Sequence, residues 1–244
     1  MKYLFVGLLF SFSLIACKKQ TESPQSLGLV DIDSLYPLKV GSVFIYRMDS
    51  TSATLGSLST SHYLAKDSVA QTFLDNQGRT SFMVLRYLTD TLAANPYQYN
   101  ESYSVTYDKN KIELLDGNNR RFINLVNPVS LGTTWSGNSY IDSLKISDNT
   151  SYAGWTYQYT SIAQPYTVIN GTFANAYTVL QAADSSGVFD PSNISFKTYS
   201  VEVYAQGVGL IYKELTDYFY QTTPSPAFED GSFGIKLNLV SYKH

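Results

Sequence analysis

Apolar and polar side chains alternate one for one along much of the chain. Tyr97, Tyr99, Tyr103, Val105 and Tyr107 interleave with Gln98, Asn100, Ser102, Ser104 and Thr106, a period of two that a strand sorts onto two faces and a helix does not. Trp155, Tyr157 and Tyr159 alternate with Thr156, Gln158 and Thr160, and Tyr199, Val201 and Val203 with Ser200 and Glu202. The same pattern predicts strands over Val43 to Met48, Tyr63 to Leu74, Ser81 to Thr89, Lys111 to Leu115, Arg121 to Val126, Tyr166 to Ile169, Tyr177 to Ala182, Gly209 to Leu215 and Ile235 to Tyr242. Between them lie Asp75-Asn76-Gln77-Gly78, Asp108-Lys109-Asn110 and Asp116-Gly117-Asn118-Asn119, residues that tolerate tight hairpin geometry. Strands joined this closely pair antiparallel. No amphipathic run is long enough for a helix. The expected fold is all-β: a single strongly curved antiparallel sheet, an open barrel or half-barrel, over residues 36–244, with few or no helices.

The first 35 residues depart from that pattern. Lys2 is followed by an apolar run from Leu4 to Phe12 and then by Leu14-Ile15-Ala16-Cys17. A run this short falls below the roughly 20 residues of a membrane-crossing helix and has the layout of a signal peptide. Its last four residues resemble the bacterial lipoprotein box, which implies removal of residues 1–16, a diacylglyceryl group on the Cys17 thiol and acylation of the new amino terminus. Several acyl chains give lasting membrane attachment where one is marginal. Residues 17–35 are rich in Ser, Thr, Gln, Pro and Gly and are expected to form a tether. No aspartate follows Cys17, so the inner-membrane retention signal of some lipoproteins is missing, and the outer membrane is the expected location, with the leaflet open.

Composition removes several functional classes. The chain has 244 residues and a formal charge of -3; neutralising nucleic-acid phosphates needs a basic surface, so nucleic acid is not an expected partner. One cysteine cannot form an internal disulfide, and two histidines cannot build a His-rich zinc site; no metal or cofactor is expected. Only His62 and His244 could serve as a histidine base for a nucleophilic serine. His62 begins a predicted strand in a Ser/Thr-rich stretch typical of an exposed loop, and His244 is the last residue and expected to be frayed. No Gly-x-Ser-x-Gly elbow and no phosphate-cradling glycine loop occurs. No catalytic residue is therefore assigned and the chain is expected not to be an enzyme. The alternative is an envelope hydrolase working through carboxylates, with Glu101, Glu202 or Glu214 as candidates.

With 21 Tyr and 13 Phe, the chain carries many rings that suit a sheet face at once apolar and tipped with hydroxyls. Tyr97, Tyr99, Glu101, Tyr103, Tyr107 and Trp155 are the candidate ligand-binding residues. They would form an aromatic groove with Glu101 as its polar anchor, holding an apolar or amphipathic ligand, a glycan or an envelope partner protein. Five triplets, Asp33-Ser34-Leu35, Asp49-Ser50-Thr51, Asp67-Ser68-Val69, Asp90-Thr91-Leu92 and Asp142-Ser143-Leu144, resemble an O-glycosylation acceptor used by some bacteria on exported proteins.

Tyr36-Pro37-Leu38-Lys39-Val40-Gly41, Gly132-Thr133-Thr134-Trp135, Gly171-Thr172-Phe173 with Asn175-Ala176-Tyr177, Gly207-Val208-Gly209-Leu210 and Leu239-Val240-Ser241-Tyr242, in that order, resemble a family of uncharacterised bacterial lipoproteins. The resemblance covers nearly all of the β domain. It implies a LolA-like or DUF3108-like shape, a curved antiparallel sheet with a concave side, and it carries no catalytic residues. Gly207 and Gly209 have a physical reading of their own, a tight turn or bulge between two strands.

Overall fold

The computed structural model of the chain describes residues 30–141, 152, 154–186, 192–222 and 227–244. Cys17, most of the expected tether and the triplet at Asp142 lie outside the described residues. Among those described, one short helix, α1 (Ile32–Leu35), precedes thirteen strands of a single antiparallel sheet. The strands are β1 (Val43–Thr54), β2 (Ser57–Leu74), β3 (Thr80–Thr89), β4 (Gln98–Asp108), β5 (Lys111–Leu115), β6 (Arg121–Val126), β7 (Thr134–Ser136), β8 (Thr156–Val168), β9 (Gly171–Ser185), β10 (Ser195–Ala205), β11 (Gly209–Gln221), β12 (Ala227–Phe228) and β13 (Phe233–Lys243). They run in the order β6-β5-β4-β3-β2-β1-β13-β11-β10-β9-β8-β7, with β12 hung on β11.

The two ends of that order, β6 and β7, are consecutive in the chain, and the sheet curls until they meet. Backbone and side chains knit the seam together: Ile123 N–H donates to Gly137 O at 2.7 Å, and the Trp135 indole N–H donates to Ile123 O at 2.8 Å. The Tyr159 hydroxyl accepts from Val126 N–H and donates to Val126 O. The result is a near-closed barrel in which the aromatic residues of β7 and β8 supply bonds that a missing ladder would have supplied. Gly137 sits where any Cβ would run into the Tyr157 ring, so the close approach at the seam requires glycine.

One end of the barrel is plugged. Ile32 and Leu35 of α1, with Tyr36 and Leu38 after it, are buried. The Tyr36 ring meets Tyr204 edge-on at 5.6 Å, and Ser34 O accepts from Gly207 N–H at 2.7 Å. The Gly207-Val208-Gly209 motif is the tight β10–β11 turn, both glycines with φ in the left-handed region. The C-terminus docks beside it: His244 Nε2 lies 3.1 Å from Gly207 O and its ring packs on Phe44. The folded body thus begins before residue 36, because Ile32 and Leu35, assigned to the tether, find a greasy barrel end to fill, at about 25 cal/mol per Å² removed from water.

Strand ends run further than the alternation suggests. The β1–β2 hairpin continues through polar pairs such as Thr51 and Thr60, whose hydroxyls are hydrogen-bonded, to a turn at Leu55-Gly56 with both φ positive. Both faces are wet there, so no apolar row marks it. His62 consequently lies well inside β2 and not at its start. On the opposite flank the β8–β9 hairpin folds back over the outer face of the barrel: Asn170 donates to Val240 O, and Tyr166 packs on Tyr212. Val203 of the neighbouring β10 is completely buried.

Candidate functional site

A cavity of about 220 Å³ occupies the barrel lumen above the plug. Its lower wall is Tyr36, Tyr204 and Leu237, and its mouth lies at the far end, where β8 and β13 begin and the β5–β6 turn carries Asp116 and Arg120. One side is aromatic. Phe122, Tyr152 and Trp155 form a chain of rings, with centroids 5.6 Å apart for Phe122–Tyr152 and 5.2 Å for Tyr152–Trp155, and the Arg120 guanidinium lies over the Tyr152 ring.

The rest of the lining is polar and largely self-satisfied. Arg86 of β3 holds Asp67 of β2 through two bonds of 2.7 Å and Glu101 of β4 at 3.2 Å; the Tyr103 hydroxyl donates to Asp67. Across the lumen, Glu202 of β10 accepts from Lys213 of β11 at 2.8 Å, from the Tyr204 hydroxyl and from Asn124 Nδ2 of β6. At the mouth Asp116 is paired with Arg120 at 2.8 Å. Each of these four carboxylates thus has a cation within 3.2 Å. Burial, reinforced by the Asp67 charge, pushes the Tyr103 phenol well above its ordinary value, and burial with Glu202 does the same for Tyr204; both are proton donors throughout the physiological range. Arg86 loses hydration by burial, but Asp67 outweighs that and raises it further, so the guanidinium stays charged. One polar atom is left over. Asn124 Oδ1 is buried with no hydrogen-bond partner among the described residues, in a residue 6% exposed. A buried acceptor without a donor costs about 1–3 kcal/mol.

The comparisons with known proteins add one structure. The fold is similar to that of a protein from Parabacteroides distasonis ATCC 8503, known by its crystal structure and designated a “putative lipoprotein”, at TM-score 0.41 and 11% identity over 86% of this chain and 98% of that one. No family model matches the chain, and no curated protein matches it significantly.

The structure divides the sequence-predicted residues. Glu101, Tyr103 and Trp155 line the lumen. Tyr97 and Tyr99 do not. β4 opposes Arg86 with Glu101 and Tyr87 with Tyr99, so Asn100 is an extra residue, and this bulge moves the residues before it onto the outer face. There Tyr99 is 60% exposed and packs against Tyr87, while Tyr97 stacks under Lys66. Tyr107 faces inward but is spent on the plug: its hydroxyl accepts from Leu38 N–H and donates to Tyr36 O. Of the three carboxylates, Glu101 and Glu202 share the lumen, and Glu214 lies outside with Tyr212 and Lys236. His62 is an exposed partner of Asp49. Arg86, Asn124 and Lys213 were missed. Arg86 and Asn124 each carried a readable signal, one polar residue set inside an otherwise apolar strand.

A broader basin lies on the outer face, between the β2–β3 and β5–β6 turns. Arg79, Arg121 and Tyr140 of its lining donate to Glu113, which is 1% exposed and also accepts from Lys111. Arg79 also binds Asp75 and Asp108. These charges are committed to one another and clamp three hairpins together.

Proposed function

We propose that the chain is a bacterial envelope lipoprotein, tethered through Cys17, that holds a small amphipathic ligand in its barrel lumen without making or breaking bonds. The observation that carries this reading is the orphaned Asn124 Oδ1, buried in a cavity with a three-ring wall on one side and satisfied ion pairs on the other. A protein with no use for that space gains by filling it with apolar side chains. The ion pairs also support a non-catalytic reading. Glu202 is saturated by Lys213, Tyr204 and Asn124, whereas a general acid needs a carboxyl free to exchange its proton with substrate.

The Leu14-Ile15-Ala16-Cys17 box supports the anchor, and the residue after Cys17, Lys18, supports the outer membrane. The order of the five motifs is the support for kinship with LolA-like or DUF3108-like envelope proteins. Two measurements test the proposal on the full chain expressed in a bacterial host. Mass spectrometry is expected to find the mature N-terminus at Cys17 with its acyl groups, and Cys17→Ser to leave the precursor uncut; an unmodified N-terminus on the native chain overturns the anchor. Denaturing extraction of the detergent-purified protein is expected to release a small molecule that is absent from Trp155→Ala. Identical extracts from the two proteins, with no change in tryptophan emission on adding the extract back, overturn the lumen as a binding site.

A further inference from the structure

We infer that the lumen is a site for one neutral sugar ring, the end residue of a glycan. This rests on reading the lumen as a ligand site and adds the ligand's chemistry. Three observations carry it.

Size comes first. Pockets for drug-sized molecules span roughly 300–1,000 Å³, and this lumen offers about 220 Å³ above a plug of packed side chains. One ring fits and an extended acyl chain does not.

Charge comes second. Each lumen carboxylate already has a cation within 3.2 Å, the acids Glu101, Asp116 and Glu202 balance Arg86, Arg120 and Lys213 in the lining, and Asp67 behind it takes up most of the Arg86 charge. An anionic headgroup, a fatty acid or a uronic acid meets cations already paired with carboxylates, and a cation finds no unpaired carboxylate in the lining. Fixed ion pairs instead present donors and acceptors side by side. That arrangement suits a hydroxyl, which donates to a carboxylate oxygen and accepts from a guanidinium or ammonium N–H at once.

Third is the pairing of an aromatic wall with an orphan acceptor. Trp155, Tyr152 and Phe122 offer the flat apolar surface on which the C–H face of a pyranose lies. On the same strand as Phe122, Asn124 Oδ1 lacks a donor among the described residues, and a ring hydroxyl supplies one. A purely apolar ligand leaves that acceptor bare.

The test uses the detergent-solubilised full chain on an array of neutral and acidic glycans, followed by tryptophan-emission titrations with the best neutral binder, an acidic glycan, lauric acid and lysophosphatidylcholine. The expected result is retention of neutral glycans, with the same emission change on adding the matching free monosaccharide. Trp155→Ala weakens binding about tenfold and Trp155→Phe by less, the difference expected for a lost stacking partner. Asn124→Leu weakens it several-fold, while thermal melts show all three variants folded. Binding of lauric acid or the lysolipid that depends on Trp155, with no saccharide bound, overturns the sugar assignment and leaves the lumen as a ligand site. A preference for acidic glycans overturns the charge argument and the assignment with it. No Trp155-dependent binding of any probe overturns both the assignment and the proposed function.

Discussion

Closure of the barrel is predicted to depend on one hydroxyl. Tyr159 is fully buried, and its OH serves both the N–H of Val126 at 3.1 Å and its C=O at 2.9 Å. Tyr159→Phe keeps the ring against Trp135, 4.9 Å away, and removes only the atom that replaces the missing ladder. Val126 is half-buried, so water compensates in part, and the net loss is expected at about 1–3 kcal/mol. For a chain of this size that lowers the melting temperature by about 2–12 °C. Circular dichroism melts of the wild type, Tyr159→Phe, Trp135→Phe and the double variant measure it. Trp135→Phe deletes the second side-chain bond across the same seam. If the seam opens as a unit, the double loss departs from the sum of the single losses by more than about 0.5 kcal/mol, the scatter of independent sites. A Tyr159→Phe protein that melts within a degree of wild type, or strict additivity, refutes the idea that these aromatics hold the edge strands together.

Gly137→Ala is expected to cost about 1–3 kcal/mol by driving a methyl group into the Tyr157 ring; the Gly137→Ala/Tyr157→Leu pair should melt above Gly137→Ala alone. Burial alone would raise the Glu113 carboxyl, but hydrogen bonds from Lys111, Arg121, Arg79 and Tyr140 outweigh it and hold it at about 2. Its stabilisation is therefore full above the ordinary value of 4.5 and drains away as pH falls towards 2; in urea titrations the gap between wild type and Glu113→Gln should shrink over that window, and a constant gap contradicts the clamp. Of the described Asp-Ser/Thr triplets, Asp90-Thr91-Leu92 places its hydroxyl in an exposed turn, whereas Asp67 of another is locked onto Arg86. Thr91 is the expected O-glycosylation position, and an intact mass of the native protein that Thr91→Ala leaves unchanged, apart from the substitution, removes it.

Strand positions were legible because alternation reports which face of a sheet is wet, and β5 and β6 match their predicted limits residue for residue. The same rule misled where the barrel interior is itself polar. Ser200 and Glu202, the polar row of β10, point into the lumen, and Val203 of the apolar row is fully buried as well. Alternation separates two faces without saying which is inside. Bulges are the other blind spot. Nothing in Tyr97 to Tyr107 marks Asn100 as the extra residue, so five residues that share a parity are split between lumen and exterior. β7 was missed because three residues show no period, and it is recognised only by the seam it closes.

Direction follows from the strand order. The chain enters through α1 at the plugged end, and every strand end that frames the cavity mouth lies at the other. On the reading of Cys17 as a lipid anchor, the tether joins the barrel at its plugged end, with the mouth at the opposite end of the barrel. A carrier that trades lipid with its own bilayer gains from the reverse arrangement, with the opening beside the tether. A receptor for glycan ends in the surrounding medium gains from this one. Trp155 at the mouth is then the first surface an arriving ring meets, and Asn124, further in, is the acceptor that distinguishes a hydroxylated ring from a greasy one.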